Sequence, residues 1–258
     1  MRITRLAPSP TGALHLGNAR TFLVNWLMAR QGGWKITLRI EDLDGPRIKA
    51  NTATQAIEDL AWLGIDFDEG PIYQSQRRAH YRVAIDQLIA SKHVYPCTCT
   101  RREVDAAASA PHAEDSANVY PGTCRGRFAT IEEARHAAAG RAPALRFRVP
   151  DEIVGFDDTF AGPQSFNVAK QLGDFIVAKA DGTPAYQLAV VVDDAAMHVT
   201  DVVRGDDLLD STPRQILIYR ALGLDDHIPS YMHLPLVVGP DGRRLAKRHG
   251  DTRLSHYR

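Results

Sequence analysis

The chain lacks any long apolar run. Its longest, Leu188 to Val192, is about five residues, against the roughly 20 that a membrane-spanning helix requires. No basic stretch leading into an apolar core opens the N-terminus, so the sequence shows no export signal and reads as cytoplasmic. Neither sign of charge is in excess: 31 Lys and Arg stand against 31 Asp and Glu. That balance argues against a protein that coats nucleic acid without specificity, and any nucleic-acid contact must come from local patches. Cysteine is scarce, with three residues among 258, and a chain of this size has core enough to do without disulfide staples. Neither G-x-x-x-x-G-K-[ST] nor G-x-G-x-x-G occurs, so the two commonest phosphate-binding loops are missing. A composition of 44% hydrophobic and 24% charged residues excludes disordered and collagen-like chains and fits one large or two modest globular domains.

What is present begins as strand, loop, helix, strand. Ile3 to Leu6 predicts a short strand, followed by the turn-rich run Ala7-Pro8-Ser9-Pro10-Thr11-Gly12. A helix should start near Gly17 or Asn18, bury Phe22, Leu23, Trp26 and Leu27 on one face, and stop at Gly32-Gly33. Ile36, Leu38 and Ile40 then alternate with Thr37 and Arg39 as a strand ending at Glu41-Asp42. Such a βαβ unit implies a right-handed crossover and a parallel sheet. Two amphipathic helices follow, one over 51–63 and one capped by Ser75 that carries Val83, Leu88 and Ile89. Residues 96–183 change character: they hold the cysteines, an Ala-rich polar stretch, a strand over 145–149, and two strand-like segments flanking an Asp181-Gly182 turn. The α/β rhythm returns with strands over 198–203 and 234–238 and a helix opened by Thr212-Pro213. The chain therefore reads as α/β: residues 1–95 and 184–258 form two halves of one domain, and 96–183 an α+β insertion.

Between the first strand and first helix lies Pro8-Ser9-Pro10-Thr11-Gly12-Ala13-Leu14-His15-Leu16-Gly17-Asn18, at the carboxyl edge where open α/β sheets bind ligands. Gly17 allows close approach to the backbone, the helix start offers N–H groups to an anion, and His15 can donate to a phosphate. This segment closely resembles the HIGH-type signature of class I glutamyl-tRNA synthetases. Arg244-Leu245-Ala246-Lys247-Arg248 resembles, more loosely, the KMSKS loop of that class. Arg39 to Asp44, Tyr186 to Asp194 and Thr200 to Gly205 also look like the family, in the same order. The resemblance spans essentially the whole chain. It implies a Rossmann-like class I catalytic domain in which glutamate carboxylate attacks the α-phosphate of ATP, with Mg2+, and pyrophosphate leaves. Such a transfer needs positioning and charge stabilisation. By resemblance His15, Gly17, Asn18 and Lys247 serve catalysis, Lys247 by stabilising the leaving pyrophosphate, and His15, Gly17, Asn18, Arg244 and Lys247 hold ATP. Arg244 stands in place of the first lysine of KMSKS, and Ala246 in place of its serine, which alters geometry and removes a hydroxyl.

Binding a dicarboxylic amino acid needs donors for each carboxylate and an acceptor for the ammonium. Arg5 and Arg204 lie at the ends of strands, where a planar guanidinium can take a carboxylate through two parallel hydrogen bonds. Tyr186 adds a donor, and Glu41 an acceptor. The resemblance places Arg5, Ala7, Ser9, Glu41, Tyr186 and Arg204 around glutamate, without deciding which arginine holds the side-chain carboxylate.

Cys97 and Cys99 flank Thr98, and Cys124 follows Tyr120 by four residues. Structural zinc takes four ligands, usually Cys or His; with three thiols available, His93 and His112 are the conventional candidates for the fourth. The pattern C-x-C…Y-x-x-x-C resembles instead the zinc site of glutamyl-Q tRNA(Asp) synthetases, short paralogues that lack an anticodon-binding region, and there tyrosine completes the set. The resemblance thus implies one structural Zn2+ on Cys97, Cys99, Tyr120 and Cys124. Gly126 occupies the place where zinc-bearing glutamyl-tRNA synthetases tend to carry histidine. Val190, where those enzymes tend to carry Asn, and the stop at Arg258, about ten residues past Lys247, point the same way. The short paralogues activate glutamate without tRNA and transfer it to queuosine at the wobble position of tRNA(Asp). A monomer whose partner is an anticodon stem-loop is expected, with basic residues at 243–258 and around Arg101, Arg102, Arg125 and Arg127 available to RNA. The alternatives are the catalytic half of a glutamyl-tRNA synthetase, which charges the 3′ end, and an inert homologue that only binds amino acid or tRNA.

Overall fold

The computed structural model describes residues 1–10, 12, 14–43, 51–100, 102–104, 119–239 and 253–257. Its elements in chain order are β1 (Ile3–Leu6), α1 (Leu16–Gly32), β2 (Lys35–Ile40), α2 (Thr52–Trp62), β3 (Glu69–Tyr73), α3 (Arg78–Ala90) and β4 (Val94–Cys97). Then come α4 (Ile131–Ala137), β5 (Ala144–Phe147), β6 (Ile153–Asp158), β7 (Gly162–Asn167), α5 (Val168–Gln171) and β8 (Ile176–Ala178). The last are α6 (Tyr186–Ala196), β9 (Asp201–Gly205), α7 (Ser211–Ala221) and β10 (Ser230–Leu234). Among the described residues, no helix is long and apolar enough to cross a membrane.

Seven strands form one sheet in the order β3-β2-β1-β9-β10-β6-β7. Every neighbouring pair runs parallel except β6 and β7, which pair as an antiparallel hairpin. Parallel central strands are covered on both faces, so they read as nearly continuous apolar runs; β2 buries Ile36, Leu38 and Ile40 completely. A second, three-stranded antiparallel sheet has the order β4-β5-β8. Residues 96–183 thus contribute to both sheets: β5 and β8 build the small one, while β6 and β7 extend the large one.

Several elements differ from their sequence expectation. The turn at Asp181-Gly182 forms, with the Lys179 N–H donating to the Thr183 carbonyl at 2.8 Å and Gly182 at φ +80°. The segment after it is a helix and not a strand, because the run from Leu188 to Val191 is buried on all sides, and a short apolar run suits either element. On α3 the buried stripe is Tyr81, Ala84, Ile85 and Leu88, leaving Val83 67% exposed. On α1 the small residues Ala19 and Ala29, with Asn25, meet the sheet, and Leu23 and Leu27 face outward. The strand expected over 234–238 lies upstream, at β10, with Pro235 just beyond its end.

Candidate active site and metal centre

The carboxyl ends of β1, β2 and β9 open on one edge of the sheet, and three segments meet there. The loop after β1 is tied to the end of β2 by the Glu41 N–H, which donates to the Pro8 carbonyl at 3.0 Å. The start of α1 is set by His15 at its N-cap, whose backbone N–H donates to Asn18 Oδ1 at 3.4 Å. Asn18 therefore holds the helix start. A Cβ at Gly17 would come within 3.2 Å of the His15 ring, so glycine makes room for this imidazole as well as for a ligand. The chain near the C-terminus returns to the same place. The Leu254 N–H donates to the Leu14 carbonyl at 2.7 Å, and His15 bridges Arg253. Arg244 and Lys247 lie outside the described residues, as do His112 and Arg101; Arg253 and Leu254, further along the chain, dock on the His15 motif.

Behind this edge lies a buried network of charges. Ser9 Oγ donates to Glu41 at 3.3 Å, and Arg39 donates to the other Glu41 oxygen at 3.2 Å. Arg39 is fully buried and also bonds Asp194, which faces Arg5 Nε at 3.6 Å. Adjacent Asp193 accepts from Gln74 at 2.7 Å, Arg77 at 2.6 Å and Tyr81 at 2.8 Å. Burial disfavours the Arg39 charge, but Asp194, Glu41 and Asp193 outweigh it and hold its pKa above the ordinary value. Burial raises the Glu41 pKa, against the pull of Arg39 and Arg5. Arg5 is itself fixed through α1: Asn25 Nδ2 donates to the Arg5 carbonyl at 3.0 Å. Arg39, Asp193 and Asp194 were not singled out from sequence as site residues. The signal was an arginine inside a central parallel strand and two acids inside an apolar helix, each of which demands a buried partner.

Arg204, at the end of β9, has a different setting. It is 4% exposed. Its Nε donates to His233 Nε2 at 2.9 Å, Nη1 to Gln215 Oε1 at 3.0 Å, and Nη2 to Thr212 Oγ1 at 2.7 Å. Among the described residues none of its partners is a carboxylate. A guanidinium has five N–H donors, so these bonds leave one N–H on each terminal nitrogen. An isolated buried cation is costly, and a carboxylate ligand would relieve that cost. Tyr186, the first residue of α6, stands at the mouth of the same edge, 38% exposed. Ala7, half-buried, follows β1 into the loop.

The cysteines form a separate cluster beyond β4. Cys97, Cys99 and Cys124 place their sulfurs within 4.8 Å of one another. Tyr120 Oη lies 3.5 Å from both Cys97 and Cys99 and accepts the Cys124 N–H at 2.9 Å. His93 is turned elsewhere, its Nδ1 bonded to Ser91 Oγ at 2.8 Å and its ring stacked near Phe147. Burial pushes the Cys124 thiol up, but hydrogen bonds from Thr98 and Tyr120 prevail and bring it to about 7. Burial raises Cys99 to about 11. The Arg146 guanidinium covers the Tyr120 ring at 3.6 Å and donates to Cys97 Sγ at 3.2 Å. Three sulfurs and one phenol oxygen converging on one point, with a cation beside them, make a donor set that fits a tetrahedral zinc ion.

Comparison with known proteins identifies the family to which the chain is similar. The family model "tRNA synthetases class I (E and Q), catalytic domain" matches residues 2–258. The chain is 54% identical to the glutamyl-Q tRNA(Asp) synthetase of Symbiobacterium thermophilum, over 98% of this chain and 80% of that protein. It is 50% identical to the enzyme of the same name from Rhodopirellula baltica, over 99% of this chain and 79% of the relative. Among solved structures, a glutamate tRNA ligase from Elizabethkingia meningosepticum, in complex with its amino acid, superposes with a TM-score of 0.83 at 32% identity. That match covers 96% of this chain and 52% of the other.

Proposed function

The chain belongs to the class I tRNA synthetase family of the E and Q type, and from that premise we propose that it activates glutamate with ATP and hands it to queuosine in tRNA(Asp). One observation carries the amino-acid half of this reading: Arg204 is a buried guanidinium with no acidic partner among the described residues and two N–H bonds to spare. It would take the side-chain carboxylate of glutamate, with Tyr186 donating beside it. Arg5, already facing Asp194, would contribute at longer range. Glu41, aligned by Ser9 and Arg39, would accept from the ammonium.

In the first step a carboxylate oxygen of glutamate bonds to the α-phosphorus of ATP, and the bond to pyrophosphate breaks. His15 and the start of α1 would hold the phosphates, and Lys247 would steady the leaving pyrophosphate. In the second, a hydroxyl of the acceptor nucleoside attacks the acyl carbon and AMP leaves. Cys97, Cys99, Tyr120 and Cys124 would hold a structural zinc ion, which would cross-link the segments around the end of β4.

The acceptor half rests on the names of the relatives at 50% and 54% identity and on the Tyr120-containing cluster. Exchange of pyrophosphate into ATP, driven by glutamate with no tRNA added, tests activation. Labelled glutamate recovered on the queuosine nucleoside supports the proposed acceptor. Label on the terminal adenosine would assign the chain to 3′-end charging instead, and no exchange without tRNA would count against the proposed tRNA-independent activation.

A further inference from the structure

Arg204 is oriented by a chain of buried groups that reaches away from the site. Asp158, at the end of β6, accepts the backbone N–H groups of Phe160 at 3.0 Å and Ala161 at 2.7 Å, and the His233 N–H at 3.1 Å. Its Oδ2 lies 2.6 Å from His233 Nδ1. Burial alone would raise the Asp158 pKa, but these donors more than offset it and lower the value. An ionised Asp158 demands a proton on His233 Nδ1, which leaves the Nε2 lone pair as the acceptor. That lone pair receives the Arg204 Nε–H at 2.9 Å, with the Thr212 hydroxyl 3.2 Å away. Burial, then Arg204, lowers the His233 pKa, so the ring stays neutral. Asp158, His233 and Arg204 are 3%, 1% and 4% exposed; the relay joins β6, β10 and β9 with no solvent between.

We propose that His233 is a positioning residue for substrate recognition: anchored by Asp158, it aims Arg204 so that the spare N–H of each terminal nitrogen faces the glutamate carboxylate. The choice of residue type supports this. A carboxylate at this place would satisfy Arg204 and compete with the substrate. A neutral imidazole fixes the guanidinium by one edge and leaves its charge for the ligand. An apolar residue would leave the Arg204 Nε–H buried and unpaired, free to reorient toward any acceptor. Gln215 and Thr212 limit the remaining directions. The inference rests on the reading that the site takes glutamate.

The test compares wild type, His233→Ala and His233→Gln in glutamate-driven ATP–pyrophosphate exchange, with separate KM values for glutamate and ATP. His233→Ala should raise the glutamate KM by about tenfold or more while moving the ATP KM by less than about twofold, since the lost bond involves a charged group. His233→Gln, which can present an acceptor to Arg204, should recover most of that loss. An unchanged glutamate KM in His233→Ala would overturn the proposal, as would equal rises in both KM values. Wild-type protein labelled with ¹⁵N-histidine supplies a readout that needs no folded Ala variant. The signal missing from His233→Gln should show a protonated Nδ1, and its Nε2 resonance should shift on adding glutamate and stay still on adding ATP. A protonated Nε2, or no response to glutamate, would also overturn it. Absence of exchange in wild type with the glutamate response intact would sink the activity reading and leave the relay standing.

Discussion

Two buried arginine settings sit side by side at the carboxyl edge of the sheet, and they do opposite things with the same charge. Arg39, with Arg5 and Arg77 around it, is matched by Asp193, Asp194 and Glu41. Arg204 is hydrogen-bonded by imidazole, amide and hydroxyl and lies 5.5 Å from the Tyr231 ring centroid, with no carboxylate partner among the described residues. The first arrangement is internally paired: its arginines and acids form ion pairs that brace α6 and α3 against β2, with Glu41 at the end that faces the site. The second is open, because hydrogen bonds fix the guanidinium while its charge stays uncompensated. The difference teaches how to tell a structural arginine from a receptor arginine when both are buried: the receptor has neutral partners.

The comparison breaks most visibly at Asp194. Asp194→Ala removes one acid from the paired network and leaves Arg39 and Arg5 short of a partner, a change that typically costs about 3–5 kcal/mol. Urea denaturation should record it as a lower midpoint. Next in size is Arg204→Ala, which should raise the glutamate KM about a hundredfold while shifting the urea midpoint little, since its neutral neighbours are left without an orphaned charge. Near-wild-type glutamate kinetics in that variant would place Arg204 outside the site.

The metal centre offers a third, smaller contrast. Arg146 faces Tyr120 and a thiol, again with no ion pair to an acid among the described residues, and would stabilise the anionic forms of these groups. Tyr120→Phe removes one donor of four, and zinc retained after dialysis against a chelator should fall about tenfold or more. Full retention would take Tyr120 out of the donor set. The smallest effect is on pH. The folded-state pKa of His233 lies below its ordinary value of 6.5, so the unfolded chain binds the extra proton first as pH falls. Stability should therefore decline below about pH 6.5, by at most about 1.4 kcal/mol per pH unit from this group. In His233→Gln that slope component should vanish.

Much of the site was legible in the sequence because it is local. The run from Pro8 to Asn18 is contiguous, Glu41 ends an alternating strand, and Tyr120 stands four residues before Cys124. The βαβ opening and the parallel sheet followed from the same stretch. The paired network was not legible in detail, since Arg39 meets Asp194 across 155 positions and no local pattern records that pairing. The relay through His233 joins residues 75 positions apart and was missed for the same reason. The helix at Tyr186 was misread because a genuine turn precedes it: Asp181-Gly182 closes, one bridge forms between Ala178 and Pro184, and the chain then coils. Burial on every side gave Leu188 to Val191 no periodicity with which to announce a helix.

The most direct test of the central claim is calorimetric titration of the wild-type protein with glutamate and with glutamine, without ATP or tRNA. Glutamine keeps the size and the backbone groups of glutamate and lacks only the side-chain charge. A receptor built on an uncompensated Arg204 should bind glutamate about a hundredfold more tightly than glutamine. Equal affinities for the two would contradict it.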